Sequence, residues 1–194
     1  ASRGLGDVYK RQWFSILPIC VVITFFCFSY LFIITPVSGD SMIPNISNGE
    51  HVFVSYNTEI KRGSVVILEV NKDDNFHIDE TSHYIKRIIG LPGDRVKWIN
   101  NKLYINDEEY NEPYFPKDYF GTAATNNFDG LFRYIDENGN EQVTEIIPEG
   151  YYFVMGDNRP ISKDSRSIGL IPEKNIIGVA TYHMNFIIPR GKIK

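Results

Sequence analysis

The chain has 194 residues, 43% of them hydrophobic, and its 13 Phe, 12 Tyr and 15 Gly lean towards β structure in one or two small domains. Its formal net charge is −4, and because Arg3, Lys10 and Arg11 outweigh Asp7 in the first twelve residues, the acidic excess lies in the remainder. An acidic body with no basic stripe argues against nucleic acid as a partner. Both cysteines, Cys20 and Cys27, fall in one apolar run. There they share a helix face as small packing groups, and the rest of the chain has neither a disulfide framework nor a thiolate metal site.

Ala1 to Gln12 shows no apolar periodicity and is expected to be a non-native leader, set aside from the fold. Trp13 to Val37 is a run of 25 residues without a charge. As a helix it reaches roughly 37 Å, enough to cross a hydrocarbon core of about 30 Å. Pro18 and Pro36 fall near its ends, where proline is easiest to accommodate. A cleaved signal peptide is the rival reading, but its apolar region spans only about 7–15 residues before a small-residue cut site. The run is therefore expected to be a retained transmembrane anchor.

Residues 38–98 and 150–188 read as a β core. Its strands are expected at Glu50 to Tyr56, Ser64 to Val70, Ser82 to Ile89, Tyr151 to Met155 and Ile176 to Ile188. Asn71 to Asp79 reads as a loop. Arg95 to Ile99 and Lys102 to Ile105 form a hairpin about Asn100-Asn101. Residues 99–149 are more polar, carry a second hairpin signal at Asn138-Gly139, and read as an inserted lobe. The expected fold class is thus all-β, with a small inserted lobe, tethered by one N-terminal transmembrane helix.

Three stretches carry chemistry. In Ser38-Gly39-Asp40-Ser41-Met42-Ile43-Pro44-Asn45, glycine frees the backbone and Pro44 fixes φ, so Ser41 sits on a stiff bend. That suits a nucleophile whose own N–H faces the reacting carbonyl. Taken alone, the stretch reads as an ordinary turn. In Tyr84-Ile85-Lys86-Arg87-Ile88-Ile89, alternation puts Tyr84, Lys86 and Ile88 on one face. A lone strand lysine is more commonly solvated, but a buried neutral one is the base a serine needs when no histidine serves. His51, His77, His83 and His183 lie in no triad-like context, and no G-x-S-x-G elbow occurs. Gly156 to Gly169 reads by composition as a polar loop, yet an extended segment there aims Ser162, Asp164 and Arg166 to one side.

Four ordered blocks resemble the type I signal peptidases, membrane-anchored Ser–Lys proteases that remove signal peptides from exported proteins. The blocks are Gly39 to Pro44, Arg62 to Val66, Tyr84 to Asp94, and Gly156 to Arg159 with Ser162, Asp164, Ser165, Arg166 and Gly169. The resemblance implies Ser41 as nucleophile, Lys86 as general base and Ser162 as the group that hydrogen-bonds the Lys86 amine. It further implies pairing of Asp164 with Arg166 and of Asp157 with Arg87, the Ser41 N–H as oxyanion donor, and Met42, Ile46, Tyr84 and Ile85 lining shallow pockets. No metal or cofactor is implied. The implied partners are signal-peptide-bearing precursors and the lipid bilayer, at the outer face of a bacterial cytoplasmic membrane. Gly39 stands where some members carry a hydroxyl that adds a second oxyanion donor, and Asn45 replaces a commoner threonine. The self-cleaving domain of DNA-damage repressors resembles the core but lacks an anchor. A membrane-anchored, non-catalytic β domain that binds an extracytoplasmic partner is the alternative from another class.

Overall fold

The uncharged sequence up to Leu31, with eight residues of the stretch set aside as a leader (Asp7, Lys10 and Arg11 among them), winds into α1 (Leu5–Leu31), 27 residues long with Pro18 in its interior, and the helix stops six residues short of Val37. Phe32-Ile33-Ile34-Thr35-Pro36 instead forms β1 (Phe32–Pro36). Consecutive β-branched and aromatic residues pack better on a pleated surface than around a helix, and Pro36 closes the strand. The computed structural model describes residues 5–70, 82–116, 127–185 and 188–193. The expected Asn71 to Asp79 loop, with His77, and residues 117–126 of the lobe lie outside the described residues. Among the described residues no helix is long and apolar enough to cross a membrane. The side chains at positions 13, 15 and 27 of the apolar run are outside that set.

Residues 1–33 and 34–194 form separate compact units. The second continues with β2 (His51–Ser55), β3 (Val65–Val70), β4 (Ser82–Gly90), β5 (Val96–Ile99), β6 (Lys102–Ile105) and β7 (Glu108–Glu109). After them come β8 (Phe132–Ile135), β9 (Glu141–Thr144), β10 (Tyr151–Met155), the short helix α2 (Ser165–Ile168), β11 (Ile171–Pro172), β12 (Ile176–Asn185) and β13 (Ile188–Lys192). Eight strands make the main sheet in the order β1-β2-β12-β3-β4-β10-β11, with β13 beside β12. Strands β3 and β4 are antiparallel neighbours in its interior, with Val66 opposite Lys86 and Val65 opposite Arg87. A lysine carried there has little access to water.

The lobe holds a three-stranded sheet, β5-β6-β7, and the β8–β9 hairpin. It begins at Val96, inside the stretch read as core, because Val96 and Trp98 alternate inward to the lobe's own cluster. Its first turn places Asn100 at φ 51° and Asn101 at φ 63°, the left-handed pair a two-residue hairpin needs. The lobe does not stand alone. Trp98, Leu103 and Phe132 share one buried cluster with Ile89 of β4 and with Phe153 and Met155 of β10.

Candidate active site

The turn bearing Ser41 is closed at its base by two backbone bonds, Val37 N–H to the Glu50 carbonyl (2.7 Å) and Gly49 N–H to the Val37 carbonyl (2.9 Å). Gly39 bends it at φ 91°, a conformation side-chain-bearing residues rarely adopt. Met42 and Ile46, one helical turn apart and bonded through Ile46 N–H to the Met42 carbonyl (2.9 Å), are fully buried among Val37, Ile67 and Ile85. Two buried apolar plugs therefore pin the bend while Ser41 stays half-buried between them and solvent. Among the described residues the Ser41 N–H has no acceptor.

Lys86 is 1% exposed. Its Nζ lies 2.9 Å from Ser41 Oγ and 2.9 Å from the Ile85 carbonyl, and 5.3 Å from the Tyr84 ring centre. No carboxylate pairs with it among the described residues. Burial pushes its pKa from 10.5 down to about 8, against the opposing pull of the Asp164 and Asp157 carboxylates. A protonated amine donates to Ser41 Oγ. The free amine accepts the hydroxyl proton instead.

The loop after β10 surrounds this pair. Asp164 caps α2 and accepts from Arg166 Nε (2.8 Å), Arg166 Nη2 (2.8 Å) and the Gly156 N–H (3.0 Å). Asp157 accepts from Arg87 Nε (2.8 Å) and Nη2 (2.7 Å), with neither side chain exposed. Ser162 stands differently from the expectation. Its Oγ is buried without a hydrogen-bond partner among the described residues, and it does not bond Lys86. It packs against Gly156 so closely that a methyl group on Gly156 would collide with Ser162 Oγ and lie 2.6 Å from the Ser41 carbonyl oxygen.

A cleft of about 230 Å³ opens over the pair, walled by residues 35–38 on one side and 83–86 on the other, with Ile67 and Ser41 between. Tyr84 and Ile85 line it. Met42 and Ile46, expected in its walls, do not; the core takes up their side chains completely. Beyond Lys86 the second edge of β4 pairs with β10 only through Arg87, Ile88 and Gly90. From His83 to Ile85 that edge has no strand beside it among the described residues. No group of three or more His, Cys, Asp or Glu able to hold a metal occurs among the described residues.

Several residues reach the site unheralded. Asn158 donates its N–H to the Ser41 carbonyl (2.9 Å) and its Nδ2 to the Asp40 carbonyl (3.1 Å). Asn45 Nδ2 donates to Asp157 Oδ2 (2.7 Å). Arg159, 1% exposed, lies over Trp98 and Phe115, donates Nε to the Gly156 carbonyl (3.0 Å) and pairs with Glu112 of the lobe. Tyr114, beneath the Arg87 guanidinium, has its phenol pKa raised by burial and by Glu112. Asn45, Asn158 and Arg159 fell in noticed stretches, but without these roles. The lobe residues carried no sequence signal.

A family model described as signal peptidase, peptidase S26, matches residues 10–184. Signal peptidase IB of Staphylococcus aureus (strain COL) is 37% identical over 180 residues, covering 88% of this chain and 87% of the relative. Signal peptidase I S of Bacillus subtilis (strain 168) is 40% identical over 176 residues, covering 88% and 86%. Among solved structures, a signal peptidase I from Enterococcus faecalis V583 matches with TM-score 0.45 and 28% identity, over 64% of this chain and 98% of that one.

Proposed function

From the premise that the chain belongs to the signal peptidase family, peptidase S26, we propose that it removes signal peptides from exported precursors with Ser41 as nucleophile and Lys86 as base. The observation that carries this reading is a buried, carboxylate-free lysine amine 2.9 Å from a serine oxygen on a pinned turn. The substrate lies extended in the cleft, and its backbone completes the open edge of β4 at His83 to Ile85. Ser41 Oγ attacks the scissile carbonyl carbon as its proton passes to the free Lys86 amine. The carbonyl electron pair moves to oxygen, where the Ser41 N–H donates to it. The Lys86 ammonium then protonates the departing nitrogen as the C–N bond breaks, leaving the signal peptide as an ester on Ser41. Water, deprotonated by Lys86, releases that ester, and Ser41 regains its proton.

The uncharged run from Trp13 is the membrane anchor in this reading. It is supported by the exposure of apolar side chains such as Phe14 (84%), Leu17 (62%), Phe25 (65%) and Phe26 (68%), which need an apolar cover. The catalytic unit then works at the outer face of the cytoplasmic membrane. The test is cleavage of a secretory precursor by the full chain in detergent. Ser41→Ala abolishes product, and Lys86→Met lowers the rate by about 10²–10⁴-fold with the fold retained. Phe for Ala at the first or third position before the cut blocks cleavage by overfilling the cleft. Near-parental turnover by Lys86→Met rejects the dyad.

A further inference from the structure

We propose that Asn45 is a positioning residue, its side-chain amide tying the nucleophile turn to the buried Asp157 and so fixing Ser41 against Lys86. The inference rests on the dyad reading above and deepens it. Asn45 lies four residues beyond Ser41 on the same turn and reaches Asp157 Oδ2 at 2.7 Å. Asp157 is fully buried and already holds both prongs of Arg87, the residue next to Lys86 on β4. One carboxylate therefore links the strand that carries the base to the turn that carries the nucleophile.

The following residue completes the tie. Asn158 grips the other end of the turn through the Asp40 and Ser41 carbonyls. Residues 157 and 158 thus hold the bend at 40–41 and again at 45, and Ser41 lies inside that hold. Without the Asn45 amide, the tie between the 45 end of the turn and Asp157 is lost. A small displacement of a reacting group is enough to lower a rate by up to about 10²-fold.

Asn45 also acts on charge. The groups facing Lys86 are Asp157, compensated by Arg87 and Asn45, and Asp164, compensated by Arg166; the Ser162 hydroxyl is buried beside them. Asp157 favours the ammonium form of Lys86. Stripping a donor from that carboxylate strengthens its pull, so less free amine is available at a given pH.

The experiment measures kcat and KM for a precursor peptide across roughly pH 6 to 10, using the full chain in detergent and four proteins: parent, Asn45→Ala, Asn45→Asp and Lys86→Met. Asn45→Ala is expected to lower kcat on the order of ten- to a hundredfold with KM little changed. The acid limb of its pH profile should move up by roughly half a unit. Asn45→Asp keeps the side-chain size, sets a second carboxylate against Asp157, and should move the limb further. Unchanged limbs in both variants, whatever their kcat, leave only a structural role and overturn the proposal. Unchanged kcat in Asn45→Ala overturns it as well. A dead Lys86→Met beside either result confines the failure to Asn45, whereas turnover in Lys86→Met removes the dyad and this inference together.

Discussion

Arg87 and Asp157 face each other through two parallel hydrogen bonds with no solvent access to either side chain. A buried pair of this kind is hard to break and easy to replace. Asp157→Ala strands a buried guanidinium and should destabilise the fold by about 3–5 kcal/mol. Arg87→Met combined with Asp157→Leu should recover most of that stability while leaving cleavage impaired. Denaturant melts of the three proteins, read beside their activity, check both halves.

The lowered pKa of Lys86 has consequences for rate and for stability. Free amine accumulates as pH rises through about 8, so cleavage should climb through that region and level off above it. A rate that is flat from mildly acidic to alkaline pH would count against a lysine base. For folding, the unfolded chain binds this proton up to 10.5 and the folded chain only up to about 8. Stability from this site therefore rises with pH across that window, and below it the penalty of a buried charge is felt in full. Lys86→Met should accordingly raise the melting temperature at about pH 7, and the gain should shrink in strongly alkaline buffer.

Gly156, in the loop after β10, packs directly against the turn bearing Ser41. A methyl group there meets Ser162 Cβ and the Ser41 carbonyl oxygen, both at 2.6 Å, so one of the two must move. Gly156→Ala should cut kcat by about a hundredfold or more through displacement of Ser41. Chemical labelling of Ser41 by an acylating inhibitor reports the same displacement without a substrate, and labelling at the parental rate would refute it.

Deleting residues through Leu31 removes α1 and keeps β1, the edge strand that a deletion through Pro36 would lose. The shortened protein should cleave short peptides about as fast as the full chain. On precursors embedded in vesicles it should fall behind, because a shared membrane raises the effective concentration of enzyme and substrate. Equal rates on embedded precursors would mean that Trp13 to Leu31 has no tethering role.

The legible parts of the site lay in the four recognisable blocks, including the Arg87–Asp157 pair 70 positions apart, which the resemblance implied. The bend at Gly39 to Pro44 alone reads as a turn and a lone Lys86 as solvated; it is the four ordered blocks together, through the family resemblance, that assign their roles. The Asp164–Arg166 pair lies two residues apart in the chain. What stayed hidden depends on long-range closure. Asn45 and Asp157 are 112 positions apart, and Glu112 reaches Arg159 across 47. No spacing rule brings either pair together. Met42 and Ile46 were implied as pocket residues by the resemblance; apolar residues beside a nucleophile suit a wall or a plug equally well, and only packing decides. The end of α1 was hidden for a related reason: a short apolar strand and the tail of an apolar helix share the same composition, and neither shows a polar face to give its period away.

In the proposed reading, the gap beside His83 to Ile85 sets what kind of reader this enzyme is. Any polypeptide in extended form offers the same row of amides and carbonyls, so the force that seats a client there is indifferent to its side chains. Discrimination is left to the small space over Ser41, Tyr84 and Ile85. An enzyme working in that way would serve many unrelated clients that share only small residues before the cut. It would select them by those small residues and an extended backbone, and leave the rest of their sequence unread.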